Sequence, residues 1–364
     1  MRVLEIAASL RIGGAEKIAR DIGYHIDSDL FQTDYIVFGD EIGEYEEDLI
    51  AKGCSVYHLP EPSTSYIKYL KTLYGLIKEN KYSVVHSHTM FNSGWAMLVA
   101  KMCKVPVRIS HSHSIDKQPG KSIIQRLYEK VMQLLITSCS THYVGCGVRA
   151  GEILFGEKRY HKKGITILNG IETEMFAYKD AHCEEIRKKL GLEDSFVIGH
   201  SGHLAEVKNQ SFLINMMPEI LKRNKNVKLL LLGEGEDRQK LEKLIDDLDL
   251  SKNVIMTGNV MDVHKYLSAM DVFVFPSLYE GMPLSVIEVQ TNGLPCVMSD
   301  TVPPDVVLTD LITRLSLNIS TEMWIDAICN SKRSDPCKYE EIVDNLGLDS
   351  KKMVKKIADI YCDF

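Results

Sequence analysis

Two glutamates separated by seven residues, Glu280 and Glu288, bracket the stretch of the chain best suited to chemistry. The stretch follows a short apolar run and leads into an apolar, helix-compatible segment, so it is predicted to be a strand, a loop and a helix start. Pro283 is placed in the first helical turn, where the following amides of Leu284 and Ser285 point outward and can bind phosphate. The pattern predicts an anion site beside two carboxylates that can accept hydrogen bonds from sugar hydroxyls.

Glycine and polar residues follow several other predicted strands. Gly14 opens a helix after the first strand, where backbone amides can meet a phosphate or a sugar, although a tight turn explains it equally well. Lys208 can hold a phosphate as a point charge, and a solvated loop lysine is the alternative. Glu234 lies between two glycines, and Val260 follows the next strand. Together these strand ends predict a slot for a nucleotide. The Gly-x-Gly-x-x-Gly spacing is lacking, which disfavours a nicotinamide dehydrogenase.

Two His-Ser-His triplets, His86 to His88 and His111 to His113, stand at the ends of two further strands. Because side chains alternate along a strand, both histidines of a triplet lie on one side, and four imidazoles can converge. A metal site is one interpretation, but no carboxylate with ligand spacing accompanies them. Bonds to sugar hydroxyls, acid or base chemistry, and purely structural hydrogen bonds are the others.

Short β-branched runs alternate with helical stretches along the whole chain, which is typical of parallel sheets flanked by helices. We predict an α/β protein with two doubly wound, Rossmann-like domains that face each other across a cleft. Their bounds are 1–175 and 176–337, and residues 338–364 hold a last helix, 350–361, that returns to the first domain. The predicted strands are Val3–Ala8, Gln32–Phe38, Ser55–Leu59, Val84–Ser87, Val107–Ser110, His142–Cys146, Thr166–Leu168, Phe196–Ser201, Val227–Gly233, Val254–Thr257, Val272–Phe275 and Pro295–Met298.

The composition is that of a soluble globular protein. The 364 residues are 45% hydrophobic and 26% charged, and the net charge of -7 gives no reason to expect nucleic acid as a partner. Neither a signal peptide nor an apolar stretch of membrane-spanning length is recognised, so a cytoplasmic location is expected. The nine cysteines are scattered, without a Cys-x-x-Cys pair, which favours reduced thiols over disulfides or zinc.

Taken together, these residues resemble the retaining glycosyltransferases of family 4, which have the GT-B fold. The resemblance covers nearly the full length, and its most specific element is the pair Glu280 and Glu288 within the surrounding Pro-Ser-Leu-Tyr-Glu-Gly-Met-Pro stretch. The histidine triplets are similar to those of bacterial capsular and exopolysaccharide transferases. Further matching motifs are Gly13-Gly14-Ala15-Glu16, Leu154-Phe155-Gly156, Asn169-Gly170-Ile171, Lys208-Asn209, Leu232-Gly233-Glu234-Gly235 and Ala269-Met270-Asp271.

The resemblance implies a role for each residue around the donor, a nucleotide-sugar. Glu288 would bond the ribose hydroxyls and Glu280 would contact the donor sugar. Lys208 would neutralise the diphosphate, assisted by the amides at Gly14 and at 284–285. The resemblance implies no cofactor and no catalytic metal, since positive groups and helix ends do that work.

Other roles concern the reacting centre and the base. His111 matches the family's histidine beside the reacting centre, and the amides near Glu234 and Val260 would border the base, for which uracil is expected. His203 stands where the family has an arginine, five residues before Lys208. An imidazole is less reliably charged than a guanidinium, but a nearby diphosphate would favour its protonated form.

The acceptor is less constrained by the sequence. The apolar segment 122–137 contains Arg126 and Lys130, and a basic cluster follows at 158–163, so a saccharide carried on a lipid pyrophosphate, with peripheral contact at the inner membrane surface, is one interpretation. An ordinary packed helix and a solvated charge run are the alternative. Other GT-B enzymes, such as an epimerase or a phosphorylase, and a sugar-nucleotide binding protein with weak catalysis are the rival functions.

Overall fold

The computed structural model describes residues 1–62, 64–113, 122–333 and 335–363, together with the backbone but not the side chain of Cys337. The chain divides into two compact units, one formed by Met1–Gly170 with Ser350–Phe364 and the other by Ile171–Asp349. The first unit ends at Gly170 instead of at the predicted 175, and the second continues to Asp349 instead of ending at 337. The second bound differs because the segment before Ser350 packs within the second unit.

The first unit contains a sheet of seven parallel strands, in the order β3-β2-β1-β4-β5-β6-β7. Most of these strands lie where they are predicted. The seventh begins two residues earlier than expected, because Gly164 to Thr166 are the residues that pair with Tyr143 to Gly145. The strands are β1 (Arg2–Ile6), β2 (Gln32–Phe38), β3 (Ser55–Leu59), β4 (Val84–Ser87), β5 (Val107–Ser112), β6 (His142–Gly145) and β7 (Gly164–Thr166).

Helices connect these strands, as parallel pairing requires. Local capping helps to fix two of them: the Ser65 hydroxyl accepts from the Lys68 amide, and Ser122 and Gln125 form a reciprocal capping box. The helices are α1 (Gly14–His25), α2 (Glu46–Ala51), α3 (Tyr66–Asn80), α4 (Ser93–Met102), α5 (Ile123–Cys139), α6 (Val148–Phe155) and α7 (Glu157–Lys163).

The second unit contains a parallel sheet of six strands, in the order β10-β9-β8-β11-β12-β13. Its last strand was not predicted. That edge strand is short and carries the exposed Thr313 and Arg314, so it lacks the apolar run of a buried strand. The strands are β8 (Phe196–Ser201), β9 (Val227–Leu232), β10 (Val254–Met256), β11 (Val272–Phe275), β12 (Cys296–Ser299) and β13 (Ile312–Leu315).

Helices of the second unit pack on its sheet, and a buried cluster that includes Met217, Leu229, Val274 and Trp324 forms its core. One of them, α15, packs on α13 and α8, which places residues up to Asp349 in this unit. The helices are α8 (Thr173–Phe176), α9 (Asp180–Leu190), α10 (Gln210–Arg223), α11 (Arg238–Asp247), α12 (Val263–Ala269), α13 (Leu284–Thr291), α14 (Thr321–Asn330) and α15 (Cys337–Asn345).

The last helix, α16 (Ser350–Tyr361), has the predicted bounds and packs against α1 of the first unit. Its apolar face is buried, and the Ser350 hydroxyl donates to the Asp21 carboxylate at 2.9 Å. The two ends of the chain therefore share one core.

The α/β class with two doubly wound sheets is confirmed. Within the described ranges, no helix is both long and apolar enough to cross a bilayer. The eight cysteines with described side chains are free thiols, and that of Cys337 lies outside the described residues.

Candidate functional site

Lys208 and Glu280 form an ion pair in the second unit, with 2.6 Å between Nζ and Oε1. Lys208 ends a 3₁₀ turn after β8, and Glu280 lies in the loop after β11. Because β8 and β11 are neighbours in the sheet, their carboxyl ends bring the two loops together. The Leu278 amide donates to the Val207 carbonyl at 2.8 Å, which ties the loops to each other. Only 19% and 12% of the two side chains is exposed, so the pair is partly desolvated.

The surroundings of Lys208 restrict its position further. Its Nζ lies 5.1 Å from the centroid of the Phe275 ring, a cation–π contact. Asn209 has a positive φ of 55° and donates from Nδ2 to the Pro276 carbonyl at 3.2 Å, so the chain turns sharply after the lysine. The ammonium group is held beside the loop that contains Glu280.

Helix α13 begins directly after this loop. Pro283 precedes its first residue, and the Val286 amide bonds the Pro283 carbonyl at 3.1 Å. The amides of Leu284 and Ser285 therefore belong to the first helical turn, whose N–H groups have no acceptor within the helix and carry the positive end of its dipole. Glu288 lies one turn further along α13 and is 9% exposed.

Two glycines lie after β9 and β10, near Glu234 and Val260, whose backbone was predicted to border the base. Gly233 and Gly258 have positive φ values of 130° and 74°, and the Gly233 amide bonds the Gly258 carbonyl at 2.9 Å. An added Cβ at Gly233 would lie 2.2 Å from the Gly202 carbonyl oxygen, so a side chain is excluded there. Glu234 directs its carboxylate to Arg238, and Val260 is partly exposed after the turn.

The His203 imidazole is hydrogen-bonded to the Glu236 carboxylate, with 2.7 Å between Nε2 and Oε2. Both side chains are mostly exposed, at 62% and 69%. The backbone hydrogen bond of Glu236, followed by the bond from His203, lowers the pKa of the Glu236 carboxyl. Exposed pairs of this kind contribute little to stability, so the imidazole can exchange Glu236 for another anion at small cost.

In the first unit, Gly14 is the first residue of α1. Gly13 before it is extended, with φ of −170°, and its carbonyl accepts from the Lys17 amide at 2.8 Å. An added Cβ at Gly14 would meet no atom within 4 Å among the described residues. The helix start is therefore open at this position, as a backbone site for an anion requires.

The four histidines of the two triplets form a cluster at the ends of β4 and β5, in which His86, His88 and His111 are buried and His113 is partly exposed. Ring centroids are 4.2 Å apart for His86 and His88, and 4.0 Å apart for His111 and His113. Across the strands, the His86 and His111 centroids are 5.3 Å apart and those of His88 and His113 are 5.0 Å apart. The predicted convergence of the four imidazoles is confirmed.

Two residues that the sequence did not single out complete this cluster. Glu5, on β1, accepts a hydrogen bond from His88 Nε2 at 2.8 Å, and Tyr361, on α16, donates its hydroxyl to the other Glu5 oxygen. Burial raises the pKa of the Glu5 carboxyl, but His86 and His88 lower it more strongly, to a net pKa of about 2. Glu5 is therefore ionised at neutral pH.

Two family models match the chain in succession. The model described as "Glycosyltransferase Family 4" matches residues 12–174, and the one described as "Glycosyl transferases group 1" matches residues 183–328. A Bacillus subtilis relative, "Putative glycosyltransferase EpsF", is 31% identical over 99% of this chain and 96% of its own. The chain belongs to glycosyltransferase family 4. It is thus an enzyme of the glycosyltransferase class.

A solved structure and a second relative are also similar to this chain. The structure of Anabaena Alr3699/HepE in complex with UDP superposes with a TM-score of 0.82 over 100% of both chains, at 17% identity. This likeness shows that the family 4 enzyme has the GT-B fold. An Escherichia coli relative, named UDP-Gal:alpha-D-GlcNAc-diphosphoundecaprenol alpha-1,3-galactosyltransferase, is 28% identical over 82% of this chain and 79% of its own.

Several residues that the family 4 resemblance singled out lie close together in the second unit. Lys208 pairs with Glu280, and the loop of Glu280 leads into the helix start that precedes Glu288. The direct pairing was not predicted, since the two side chains were assigned separate contacts with the donor. In the first unit, His111 lies within the histidine cluster, as the predicted convergence requires.

The sequence contains a signal for one of the missed residues. Glu5 is the one polar residue of the predicted strand Val3–Ala8, and a charge at such a position is seldom buried unless it has partners. Tyr361 offers no comparable signal, because 356 positions separate it from Glu5 and its helix has an ordinary amphipathic pattern.

Proposed function

We propose that this enzyme transfers a hexosyl unit from a UDP-sugar to a saccharide or lipid-linked saccharide acceptor in surface polysaccharide synthesis, with retention of anomeric configuration. The observation that carries the proposal is the partly buried pair of Lys208 and Glu280, held beside the start of α13. A cation and free helix amides suit a diphosphate, and carboxylates suit sugar hydroxyls. A relative crystallised with UDP and one named for a UDP-galactose donor support the choice of nucleotide.

In the proposed reaction, the bond between the anomeric carbon and the β-phosphate oxygen breaks, and the pair of electrons leaves with UDP. An acceptor hydroxyl attacks the same face of the oxocarbenium-like centre and passes its proton to the departing phosphate oxygen. The products are the new glycoside and UDP. Lys208 and the amides of Leu284 and Ser285 stabilise the charge that collects on the leaving group. No catalytic metal and no cofactor are part of this proposal.

The remaining donor contacts are assigned by the same reasoning. Glu288 bonds the ribose hydroxyls, the amide at Gly14 assists with phosphate, and the backbone near Glu234 and Val260 borders the base. His203 can supply a further positive group to the diphosphate in exchange for Glu236.

We further propose a cytoplasmic enzyme that contacts the inner face of the plasma membrane through α5. Ile123 and Ile124 of this helix are 85% and 80% exposed. At 100° per residue, the exposed apolar side chains of α5 cover about 100° of its circumference, with Arg126 and Lys130 along one border. A basic, amphipathic face of this kind fits an anionic lipid surface and a lipid pyrophosphate acceptor. The exposed apolar residues are Ile123, Ile124, Leu127, Val131 and Leu134.

Rival functions make different demands on the same residues. A phosphorylase of this fold needs a pyridoxal-bearing lysine and a longer chain, and an epimerase needs a carboxylate and a histidine placed to move a proton. A binding protein without catalysis could retain both Lys208 and Glu280. The presence of this ion pair therefore does not distinguish it from an enzyme. Release of UDP from a UDP-sugar by the purified protein distinguishes an enzyme from this last alternative.

Nucleotide binding is tested by thermal unfolding with UDP, GDP and ADP, each alone and with the corresponding glucose conjugate. UDP at 100 times its Kd is expected to stabilise the protein by about 2.7 kcal/mol, which raises Tm by several degrees. GDP and ADP should have smaller effects at the same concentration, because the base contacts are expected to suit uracil. Equal stabilisation by all three would remove the donor assignment, and none by any would remove the function.

Membrane contact is tested by flotation with liposomes that contain or lack anionic phosphatidylglycerol. The wild type is expected to float with anionic vesicles at low salt and to be released at high salt, since surface charge is screened. Ile124→Glu should abolish flotation, because it places a carboxylate within the apolar face of α5. Ile42→Glu is the matched control, since Ile42 is another highly exposed isoleucine of the same unit that lies outside α5. Salt-independent or absent flotation of the wild type would contradict the proposal.

A further inference from the structure

Two chains of hydrogen bonds run outward from the carboxylate of Glu5 through the clustered histidines. In the first chain, Glu5 is followed by Tyr361, His86 and His111. In the second chain, Glu5 is followed by His88 and His113. Each imidazole in the two chains can carry its proton on either nitrogen. The direction of each bond therefore depends on a group whose role as donor or acceptor is fixed.

Glu5 is such a group, because an ionised carboxylate only accepts hydrogen bonds. Tyr361 donates its single proton to Glu5, so its oxygen can only accept from His86 Nδ1, which lies 2.8 Å away. The same nitrogen lies 3.2 Å from the second Glu5 oxygen. Both partners of His86 Nδ1 are acceptors, so whenever this ring carries a single proton, that proton is on Nδ1.

The consequence passes on to His111. With its proton on Nδ1, His86 has a lone pair on Nε2, and this nitrogen lies 3.2 Å from His111 Nδ1. His111 must then donate from Nδ1, which leaves a lone pair on its own Nε2. Among the described residues, this buried nitrogen has no hydrogen-bond partner. The first chain therefore ends in an acceptor.

The second chain has the same polarity. His88 donates from Nε2 to Glu5 at 2.8 Å and accepts at Nδ1 from His113 Nε2 at 2.7 Å. His113 Nδ1 is then also an acceptor. In the part of the chain that the structure describes, this buried nitrogen has no hydrogen-bond partner.

The environment keeps the Tyr361 phenol protonated and the His111 imidazole neutral. Burial and the charge of Glu5 raise the pKa of Tyr361 well above its ordinary value, so the phenol retains its proton. Burial lowers the pKa of His111 well below its usual range, and the neighbouring imidazoles lower it further, so the ring stays neutral. A buried acceptor without a donor is unfavourable, and a ligand hydroxyl that donates to it removes this cost.

A metal ion fits the cluster less well than this network does. One nitrogen from each of His86, His88 and His111 lies within 4.8 Å of the others. However, both nitrogens of His86 and of His88 already take part in hydrogen bonds, and a metal would have to break them. The chemistry that the open Nε2 of His111 recognises is a hydroxyl group.

We infer that Glu5 and Tyr361, from the two ends of the chain, are positioning residues that hold His111 in the Nδ1-protonated tautomer, so that its Nε2 accepts a hydrogen bond from a substrate hydroxyl. This rests on the proposed function for the identity of the hydroxyl as one of a sugar. Neither residue is a catalytic residue, since both act through His86. In the Ser-His-Asp triad, an aspartate controls a tautomer in the same way, and its change to asparagine lowers kcat about 10⁴-fold.

The tautomers can be read directly from two-bond ¹H–¹⁵N correlation spectra of the full chain labelled with ¹⁵N-histidine, recorded at pH 8. This pH lies above the reference imidazole pKa of ~6.5. Variants His86→Gln and His111→Gln assign the signals of the two rings. The expected result is a proton on Nδ1 and none on Nε2 for both His86 and His111. A proton on His111 Nε2, or on both nitrogens of His86, would overturn the inference.

Glu5→Gln tests the cause of this polarity. An amide has an N–H₂ group in place of one carboxylate oxygen, so at least one of the two chains must reverse or lose a bond, and the signals of its histidines should move. Tyr361→Phe should move the signals of His86 and His111 but leave those of His88 and His113. If Glu5→Gln fails to fold, the wild-type spectra still test the polarity, and unchanged signals of His86 and His111 in folded Tyr361→Phe would remove Tyr361 from the network. Unchanged tautomers in folded Glu5→Gln would contradict the role of Glu5.

Asp34 and Tyr82 provide a matched pair of controls in the same unit. Asp34 is a fully buried carboxylate that accepts from the Tyr82 hydroxyl at 2.7 Å, away from the histidines. Asp34→Asn and Tyr82→Phe repeat the two chemical changes and should lower Tm without moving any signal of the four clustered histidines. If the histidine signals moved only because the structure was generally lost, they would move in the two control variants as well as in Glu5→Gln and Tyr361→Phe.

The functional readout separates this inference from the proposed function. In Glu5→Gln, hydrolysis of UDP-glucose is expected to fall at least 10-fold in kcat, while the Kd for UDP stays within twofold of wild type. If the wild type binds no UDP, the proposed function fails, yet the tautomer spectra still decide the polarity of the network. If UDP binds and kcat is unchanged while the tautomer reverses, the positioning role is refuted.

Discussion

Replacement of Lys208 by alanine is expected to lower kcat for a UDP-sugar by about 100-fold or more, with a smaller effect on KM. Lys208 pairs with Glu280 just before the start of α13, and the charge that it is proposed to stabilise grows as the leaving group departs. Contacts of this kind contribute mainly to the transition state, and removing one typically costs 10²- to 10³-fold in rate. Steady-state release of UDP, with the donor varied, measures both constants.

The control for this variant is Lys222→Ala. Lys222 also forms a 2.6 Å pair with a glutamate of the same unit, but it is 70% exposed and lies at the end of α10. Its loss should leave kcat within about twofold, since exposed pairs contribute little. Because Lys208→Ala also leaves Glu280 without its partner, Tm should be measured for each variant. A folded Lys208→Ala variant with full turnover would remove Lys208 from the mechanism.

Alanine at Glu288 is expected to weaken UDP binding by about 10- to 100-fold. Hydrogen bonds to a charged acceptor contribute about 1.5–3 kcal/mol each, and 1.4 kcal/mol corresponds to a factor of ten in Kd. Alanine at Glu280 should instead slow turnover, because this carboxylate is expected to contact the sugar and orders Lys208. Titration calorimetry with UDP and steady-state kinetics with a UDP-sugar separate the two effects.

The ion pair between Lys208 and Glu280 makes the expected result for Glu280→Ala more specific. Removal of Glu280 frees Lys208 from its partner at 2.6 Å, so UDP affinity should stay constant or rise in Glu280→Ala. Glu219→Ala is a suitable control, since Glu219 lies on α10 of the same unit and pairs with Lys222 at the surface. Equal losses of UDP affinity in Glu280→Ala and Glu288→Ala would contradict the division of roles.

The same pair suggests how the site is kept ready in the absence of donor. A partly buried ammonium group without a counter-charge is costly, and Glu280 supplies that counter-charge. Under the proposed function, an entering diphosphate would take over Lys208, and Glu280 would be released toward the sugar. The loop positions need not change for this exchange, because the backbone bond between Leu278 and Val207 already joins them.

Most of the strand positions could be predicted from the sequence, because a strand buried on both faces needs a continuous apolar run. The run Val272 to Phe275 is an example. The strand Ile312–Leu315 was missed because it lies at a sheet edge, where exposed residues such as Arg314 are tolerated and the pattern weakens. Tertiary pairing decides such a strand.

The convergence of the histidines was also predictable, since alternation along a strand and the common edge of parallel strands are local rules. The direction of their hydrogen bonds was not. That direction depends on Glu5 and on Tyr361, whose positions in the sequence are almost as far apart as the chain permits.

The sequence by itself determined the family, the two doubly wound sheets and the residue types proposed to surround the donor, because these follow from apolar periodicity and from motifs within a few residues of each other. Only the tertiary structure decided that Lys208 pairs with Glu280 and that α16 brings Tyr361 to Glu5. The physical reason is that electrostatic partners are selected by proximity in space. Buried charges such as Glu5 must find partners wherever the packed chain supplies them.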